Sequence, residues 1–591
     1  MKDFLKYTLA SMLGLLLFTV VATILGIISI AGMVASSNLG APVEKNSILR
    51  IPLKGEIQEQ AQDNPMAQFT GEENTALGLD ELLRAIEKAK DNENVKGIYL
   101  EGGSPSAAIA TLQEVRQALL DFKKSGKFIY AYADDYSQAG YYVSSVANQL
   151  MLNPMGGIDW HGLVSEPIFF KDMLAKVGVK MQVFKVGTYK SAVEPFINTE
   201  MSPANREQVT SYLTSLWGTM KQEVGASRKL KVEELDALAD SFLMMKPSAQ
   251  LVKWRIADKL TYIDEVKDIL RQKMELKEDD ALSFVSVKDM ARAETPKLPK
   301  TDNQIAVYYA YGDIVHGKNF SPLSPTGAKI VGSKVVDDLR ALREDKDVKA
   351  VVIRVNSGGG SAYASEQIWR EVELLKREKK VVVSMGGVAA SGGYYIASGA
   401  HKILAEPTTL TGSIGIFGMI PDASELLTQK IGLKYDVVKT NALSDFGTTS
   451  RGMNATEGRL VQAEVERGYE IFTGRVAQGR KMAQSRVKEL GEGRVWTGEQ
   501  ALKHGLVDQM GNLSDAVKVA AKLAKIDDYM VTNHPSPDPW YASLLNKQKS
   551  DYLDSQLRAL LGTYYVPFSI LQHVGQQERL QMRLPYEPNI R

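Results

Sequence analysis

The chain of 591 residues is 44% apolar and 24% charged, proportions of an ordinary globular protein, and it is too long for one core, so about two to four domains are expected. A formal net charge of +1 argues against a nucleic-acid partner, which would call for a basic surface. The absence of cysteine removes disulfides, thiol catalysis and thiolate metal sites.

At the N-terminus, the run Tyr7–Val34 contains no charged residue. It exceeds the roughly 20 residues of a spanning helix and the roughly 7–15 apolar residues of a cleavable signal peptide. Lys2 and Lys6 precede it, which favours an N-terminus in the cytoplasm. The expectation is one uncleaved anchor over residues 1–36, with the rest of the chain across the membrane. A cleaved signal with an unusually long core is the alternative.

Residues 37–46 read as a linker, and "SILRIPLKGEI" after it as a strand ending at a glycine turn. That pattern returns at residues 304–314 as "QIAVYYAYGDI". The helical stretch "LDELLRAIEKAKDNENVKGIYLEGGSPS" matches "SKVVDDLRALREDKDVKAVVIRVNSGGGS" at a spacing of 253 residues, and "AGYYVSSVANQLML" matches "GGYYIASGAHKILA" at the same spacing. "VGVKMQVFKVGTYK" matches "IGLKYDVVKTNALS" at 254. A near-constant offset over this length marks a tandem duplication. Short β-branched runs alternate with helical patterns in each half, which predicts βαβ units around a mostly parallel sheet. The repeats are placed at 47–300 and 301–525, joined through the charged, proline-containing stretch 288–303. The remainder, 526–591, is a polar tail with a helical segment and no identifiable chemistry.

Two glycine-rich elements stand out in the second half: "RVNSGGGSAYASE" after a strand, and "GVAASGGYYI" around Ser391. Glycines at a strand-to-helix junction leave backbone N–H groups open to anions or developing oxyanions. The first lacks the Lys-Ser/Thr ending of a phosphate loop, so nucleotide binding is not indicated. Comparing the halves is more informative. Ser391 aligns with Gln138, and Gly358, Gly359 and Gly360 align with Pro105, Ser106 and Ala107. Conversely, Lys190 of "VGTYKSAVEPF" aligns with Ser444. Residues that build the fold should be shared by both repeats, whereas residues for chemistry need occur in only one. A serine from one half and a lysine from the other make a sufficient dyad if burial keeps the amine neutral. The environment of Lys190 is mostly uncharged, with Glu194 the nearest acid. The six histidines are scattered and none forms a metal-binding spacing, so no metal or cofactor is expected.

"VGTYKSAVEPF", "RVNSGGGS", "GGVAASGGYYIAS" and "LTGSIGIFG", in this order across a duplicated chain, resemble the bacterial signal peptide peptidase A (protease IV) family in its long, double-domain form. The resemblance spans roughly residues 1–525. It implies an α/β fold of tandem Clp-protease/crotonase-like ββα domains behind an N-terminal transmembrane helix. It also implies a serine endopeptidase of the bacterial inner membrane, with catalytic domains on the periplasmic side, acting on remnant signal peptides as a ring-like homo-oligomer, a tetramer in the long form. Carried over by motif, Ser391 is the nucleophile, Lys190 the general base and Ser413 the residue that orients the base. Gly392 and Gly360 supply the oxyanion amides. Where the family has proline in the glycine loop, this sequence has Gly358, which adds backbone freedom. The alternatives are a crotonase-type acyl-CoA enzyme, in which the dyad would be idle, and a non-catalytic membrane scaffold descended from a peptidase.

Overall fold

The computed structural model describes residues 2–38, 42–60, 76–277, 280–293, 301–317, 329–535 and 580–584. Lys2–Asn38 forms one helix of 37 residues. Among the described residues no helix is long and apolar enough to cross a membrane. Much of the uncharged run that carried the expectation of an anchor, residues 26–34 included, has side chains outside the described set. The described part of the fold therefore lends the expected transmembrane helix no support.

Each half is built on a parallel sheet, as the alternating pattern predicts. The first runs in the order Ser283–Ser286, Ser47–Pro52, Val95–Glu101, Phe128–Ala133, Gln149–Leu152, Lys259–Leu260. The second repeats it as Met530–His534, Gln304–Tyr311, Val348–Ser357, Lys380–Ala390, Lys402–Ala405, Gln509–Met510. Those six strands have the same order in both halves, and the second sheet adds Leu410–Gly412 beside Lys380–Ala390 and then Val495–Thr497, antiparallel to it. The edge strand Met530–His534 carries the second sheet past residue 525, into what the sequence suggested was tail.

The strands are near-continuous apolar runs because helices cover both faces. Val351, Val352 and Val355 are fully buried. Leu79–Asp91 shows how a helix docks: Leu79, Leu82, Ala85, Ile86 and Ala89 share one buried stripe at helical spacing. Full burial of each large aliphatic side chain contributes about 1.5–3 kcal/mol.

The two halves are not independent. A third sheet takes strands from both, in the order Lys329–Val331, Asp313–Val315, Gly359–Ser361, Leu580–Arg583, Ile416–Asp422, Lys180–Val186. The last of these belongs to the first half by sequence, yet pairs antiparallel with Ile416–Asp422 along its whole length. Val388, Ala390, Leu410 and Val495 of the second half are in turn part of the first half's core. A buried ionic cluster adds to this seam: Arg354 of the second half donates to Glu59 at 2.9 Å and to Glu114 at 2.5 Å, both from the first.

Candidate active site

The strand Lys380–Ala390 ends at Ser391, which N-caps the short helix Gly392–Ala397. Ser391 has φ 55° and ψ −114°, a conformation that side chains rarely adopt and that is held here by the surrounding structure. Its amide donates to Gly412 O at 2.8 Å, and its carbonyl accepts from Tyr395 N at 2.8 Å. Gly392 and Gly393 could not be larger: a Cβ on Gly392 would lie 2.7 Å from Ser365 Oγ, and one on Gly393 2.6 Å from Ser357 O. The small residues around Ser391 thus serve close packing as well as exposure of a hydroxyl.

Lys190 arrives from the other half on the turn that follows the strand Lys180–Val186. That strand lies in the third sheet, paired with Ile416–Asp422 of the second half, so its end is delivered to Ser391. Lys190 Nζ donates to Ser391 Oγ at 2.7 Å, to Ser413 Oγ at 3.1 Å and to Ser413 O at 3.2 Å. Lys190, Ser391 and Ser413 are all fully buried. Burial alone pushes the Lys190 ammonium well below its ordinary value. Glu194, the nearest acid in sequence, turns away: it accepts from Ser202 Oγ at 2.6 Å and Asn205 Nδ2 at 3.0 Å at the start of the helix Pro203–Arg228. Among the described residues no carboxylate restores charge to the amine.

Residues that the sequence did not single out hold this lysine. A Cβ on Gly493 would stand 2.6 Å from both Lys190 N and Lys190 Cβ, and one on Gly415 3.1 Å from Lys190 Cδ. Tyr189 N donates to Glu492 O at 2.9 Å. Gln208 spans the seam: its Nε2 donates to Tyr189 O at 3.0 Å and Ser191 Oγ at 2.8 Å, while its Oε1 accepts from Val495 N at 3.1 Å. The repeats carried a signal for neither glycine, because each acts on a segment remote in sequence.

The glycine loop lies beside Ser391. Gly359–Ser361 is a short strand, with Gly359 at φ 104° and Gly360 at φ 152°. Ser357 Oγ donates to Gly312 O at 2.7 Å and accepts from Gly359 N at 3.1 Å, and Gly358 O accepts from Leu584 N at 2.7 Å. These bonds tether the loop in which glycine replaces the family's proline.

The equivalent place in the first half is filled. Gln138, aligned with Ser391, is fully buried; its Oε1 accepts from His161 N and Gly162 N at 3.0 Å each, and its Nε2 donates to Gly162 O at 2.9 Å. Trp160, at the position of Ser413, is fully buried too, with its indole N–H on Leu235 O at 3.1 Å. Ser444, opposite Lys190 in the alignment, is exposed. Of the two possible sites only one has the machinery. Among the described residues no group of histidines and carboxylates could hold a metal.

The Clp protease family matches residues 323–409, the stretch that contains the glycine loop and Ser391, and this supports a Clp protease-like fold. Peptidase family S49 matches once in each half, at residues 121–277 and 373–527. Protease 4 of Salmonella typhi is 37% identical over 460 residues, 76% of this chain and 73% of that protein. Protease 4 of Haemophilus influenzae is 36% identical over 458 residues, 75% and 72% of the two chains. The chloroplastic serine protease SPPA of Arabidopsis thaliana is 32% identical over 487 residues, 82% and 70%. The chain belongs to peptidase family S49, as a double-domain peptidase of the SppA type.

Proposed function

We propose that the protein is a membrane-anchored serine endopeptidase that hydrolyses cleaved signal peptides through a Ser391–Lys190 dyad. The observation that carries this reading is the 2.7 Å contact between Lys190 Nζ and Ser391 Oγ in a site with no neighbouring carboxylate among the described residues. Neutral Lys190 takes the Ser391 proton as Oγ attacks the scissile carbonyl. Ser413, through its hydroxyl and carbonyl oxygens, fixes the direction of the amine. The oxyanion is met by the backbone N–H groups of Gly392 and Gly360, each worth about 2.7–4 kcal/mol in comparable sites. Lys190 then gives its proton to the leaving amine, and water attacks the acyl-enzyme with Lys190 again as base. No cofactor takes part. An extended peptide pairs with the strands that flank Ser391, in the manner of β-strand addition.

The test is an active-site-directed acylating probe applied to wild type, Ser391→Ala and Lys190→Ala, with fragments of a synthetic signal peptide followed by mass spectrometry. Labelling of wild type that is lost in both variants supports the dyad and rejects the scaffold and acyl-CoA readings. Labelling that persists in Ser391→Ala overturns the assignment.

Anchoring rests on the uncharged run Tyr7–Val34 within the helix Lys2–Asn38, behind Lys2 and Lys6. This reading puts the protein in the bacterial inner membrane with the peptidase halves on the periplasmic side. The reading includes a homo-oligomer, a tetramer by family resemblance. Its support lies in two segments that the repeat equates with the paired strands Lys180–Val186 and Ile416–Asp422. The counterpart of the first, residues 434–440, is wholly exposed, with Val437 and Val438 at 50% and 96%. The counterpart of the second, residues 163–169, has no regular secondary structure and exposes Val164 and Ile168. Between successive copies these two would form the same antiparallel pair that Lys180–Val186 makes within the chain, a head-to-tail contact that closes into a ring.

A further inference from the structure

Lys190 and Ser391 come from different halves, and the segment 492–496 meets the lysine side of the site. Within it Arg494 has contacts in two directions. Its guanidinium carbon lies 4.7 Å from the centre of the Tyr189 ring and 4.6 Å from that of Trp496. Its Nη1 donates to Tyr189 Oη at 3.1 Å and its Nη2 pairs with Glu207 Oε1 at 2.9 Å, while Tyr189 Oη donates to Glu207 Oε2 at 3.0 Å. Arg494 Nε is buried and has no hydrogen-bond partner among the described residues. The guanidinium is therefore held by its faces and its two terminal nitrogens, a planar fork that lysine cannot reproduce.

The main chain of the same residue reaches the other side of Lys190. Arg494 O accepts from Ser413 N at 2.7 Å, and Ser413 gives Lys190 Nζ two acceptors, its hydroxyl and its carbonyl oxygen. Tyr189, gripped by the side chain, is the residue before Lys190, and its amide donates to Glu492 O at 2.9 Å. Two charged side chains lie on these elements without meeting the amine. Lys185 Nζ donates to Lys190 O at 3.4 Å, and Glu492 Oε2 accepts from Thr188 N at 3.4 Å.

The duplication separates this stack from ordinary packing. At the spacing of 250 that matches residues 248–260 with 498–510, Glu492 aligns with Phe242, and both have a positive φ, 50° and 55°. The same register sets Arg494 against Met244 and Trp496 against Lys246. Tyr189 aligns with Leu443 at 254, and Glu207 with Arg459 at the 252 that relates the helices Pro203–Arg228 and Ala455–Arg480. None of the four is kept in the opposite copy, just as neither Ser391 nor Lys190 is.

We propose that Arg494 is a positioning residue for the dyad: its guanidinium grips Tyr189 and its carbonyl grips Ser413, so that one residue of the second half fixes both the base and the group that orients it. This rests on Ser391 and Lys190 being the dyad. Loss of the grip lets the turn that carries Lys190 shift away from Ser391 and lets water reach the amine, which restores its charge and removes the base.

The test measures Ser391 acylation by a fluorescent β-lactone in the full chain as wild type, Arg494→Met, Arg494→Lys and Tyr189→Leu; the new side chains in Arg494→Met and Tyr189→Leu are those of the opposite copies. Arg494→Met should lower the limiting rate at least about tenfold, with the half-saturating concentration within about twofold. It should also move the pH midpoint of labelling upward by at least about one unit, toward the ordinary value of an amine. Tyr189→Leu should give the same split, and Arg494→Lys should behave as Arg494→Met. In parallel, hydrogen exchange is measured on Ser391→Ala protein with and without Arg494→Met. The amides of Tyr189 and Ser413 should exchange at least about tenfold faster in the double variant. An unchanged rate, or a lower rate with an unmoved pH midpoint, would show a stack that only stabilises the fold and would overturn the proposal. A wild-type profile in Arg494→Lys would overturn it as well, since charge alone would then suffice. Unchanged exchange would do the same by denying the grip. Labelling absent from wild type, or persisting in Ser391→Ala, would instead sink the nucleophile, while the exchange data still decide whether Arg494 holds the two segments.

Discussion

Gln138 and Ser391 stand at equivalent points of the two repeats, each buried at the opening of a short helix, and they are put to opposite uses. Gln138 closes its site with three hydrogen bonds to the His161–Gly162 turn, whereas Ser391 holds its hydroxyl against the amine of Lys190. The duplication preserved one scaffold twice and left machinery in a single copy. Gln138→Ser should therefore create no second labelled serine. Its effect should be confined to stability, a loss of about 1–3 kcal/mol from buried partners left unpaired, read by denaturant unfolding.

Lys190 gives a pH signature in both activity and stability. Burial holds its ammonium well below the ordinary 10.5. Activity should rise with pH through that depressed value and level off well below 10.5. Between the depressed value and 10.5 the unfolded chain carries a proton that the folded chain lacks, so stability should increase with pH, by at most about 1.4 kcal/mol per unit. Lys190→Met should lose at least about a thousandfold in kcat/KM. It should also abolish this slope and be more stable than wild type near neutrality. A stability profile that keeps its slope in Lys190→Met would refute a neutral buried amine.

Gly493 and Gly415 make room for the lysine, and they should be intolerant of side chains. Gly493→Ala has to place a Cβ 2.6 Å from Lys190 N at φ 79°, which is strained even without the collision. Kinetic assay of the folded variant should show kcat falling by at least about a hundredfold, since small misplacement of a catalytic group is that costly. Gly218, with nothing near its would-be Cβ, should accept alanine at no cost in activity.

The seam between the halves has its own titration. Burial first, and then the Glu114 carboxylate, push the Glu406 carboxyl well above its ordinary 4.5. A carboxyl whose folded-state value is raised stabilises fully below 4.5, and that contribution is lost as pH rises through the raised value. Glu406→Gln should flatten this decline, exceeding wild type in thermal stability at pH 8 and matching it below about pH 4.5. Arg354→Met, by contrast, leaves Glu59 and Glu114 buried without their cation and should cost about 3–5 kcal/mol.

The exposed apolar segments give a test of assembly. Val437→Asp with Val438→Asp, or Ile168→Asp alone, puts a charge into the pair expected between copies. Light scattering after gel filtration should show the oligomer reduced to single chains, with the far-ultraviolet spectrum unchanged. Retention of the full assembly by both variants would rule these segments out as the contact.

Much of this was legible in the sequence because duplication supplies an internal control. The parallel sheets follow from β-branched runs alternating with helical patterns. Ser391 and Lys190 were singled out by their absence from the opposite repeat, and the structure brings their side chains together. Gly493, Gly415 and Gln208 escaped notice because their value depends on what approaches them from the other half, and spacing along one segment carries no record of that. The strands of the tail are hard to read for a related reason. Met530–His534 and Leu580–Arg583 are short strands with no strong pattern, and a strand of four or five residues acquires its meaning from the edge it pairs with.

By itself, the sequence determined the two-fold repeat, the sheet class and which hydroxyl and amine differ between the copies, since these depend on local pattern and on comparison within the chain. Only the tertiary structure decided that Lys180–Val186 crosses to the other half, that Lys190 reaches Ser391 in a site dry enough to disfavour its charge, and that the short strand Leu580–Arg583 pairs with the glycine strand. The reason is physical. Backbone pairing and desolvation are properties of neighbours in space, and here those neighbours stand some 200 residues apart along the chain.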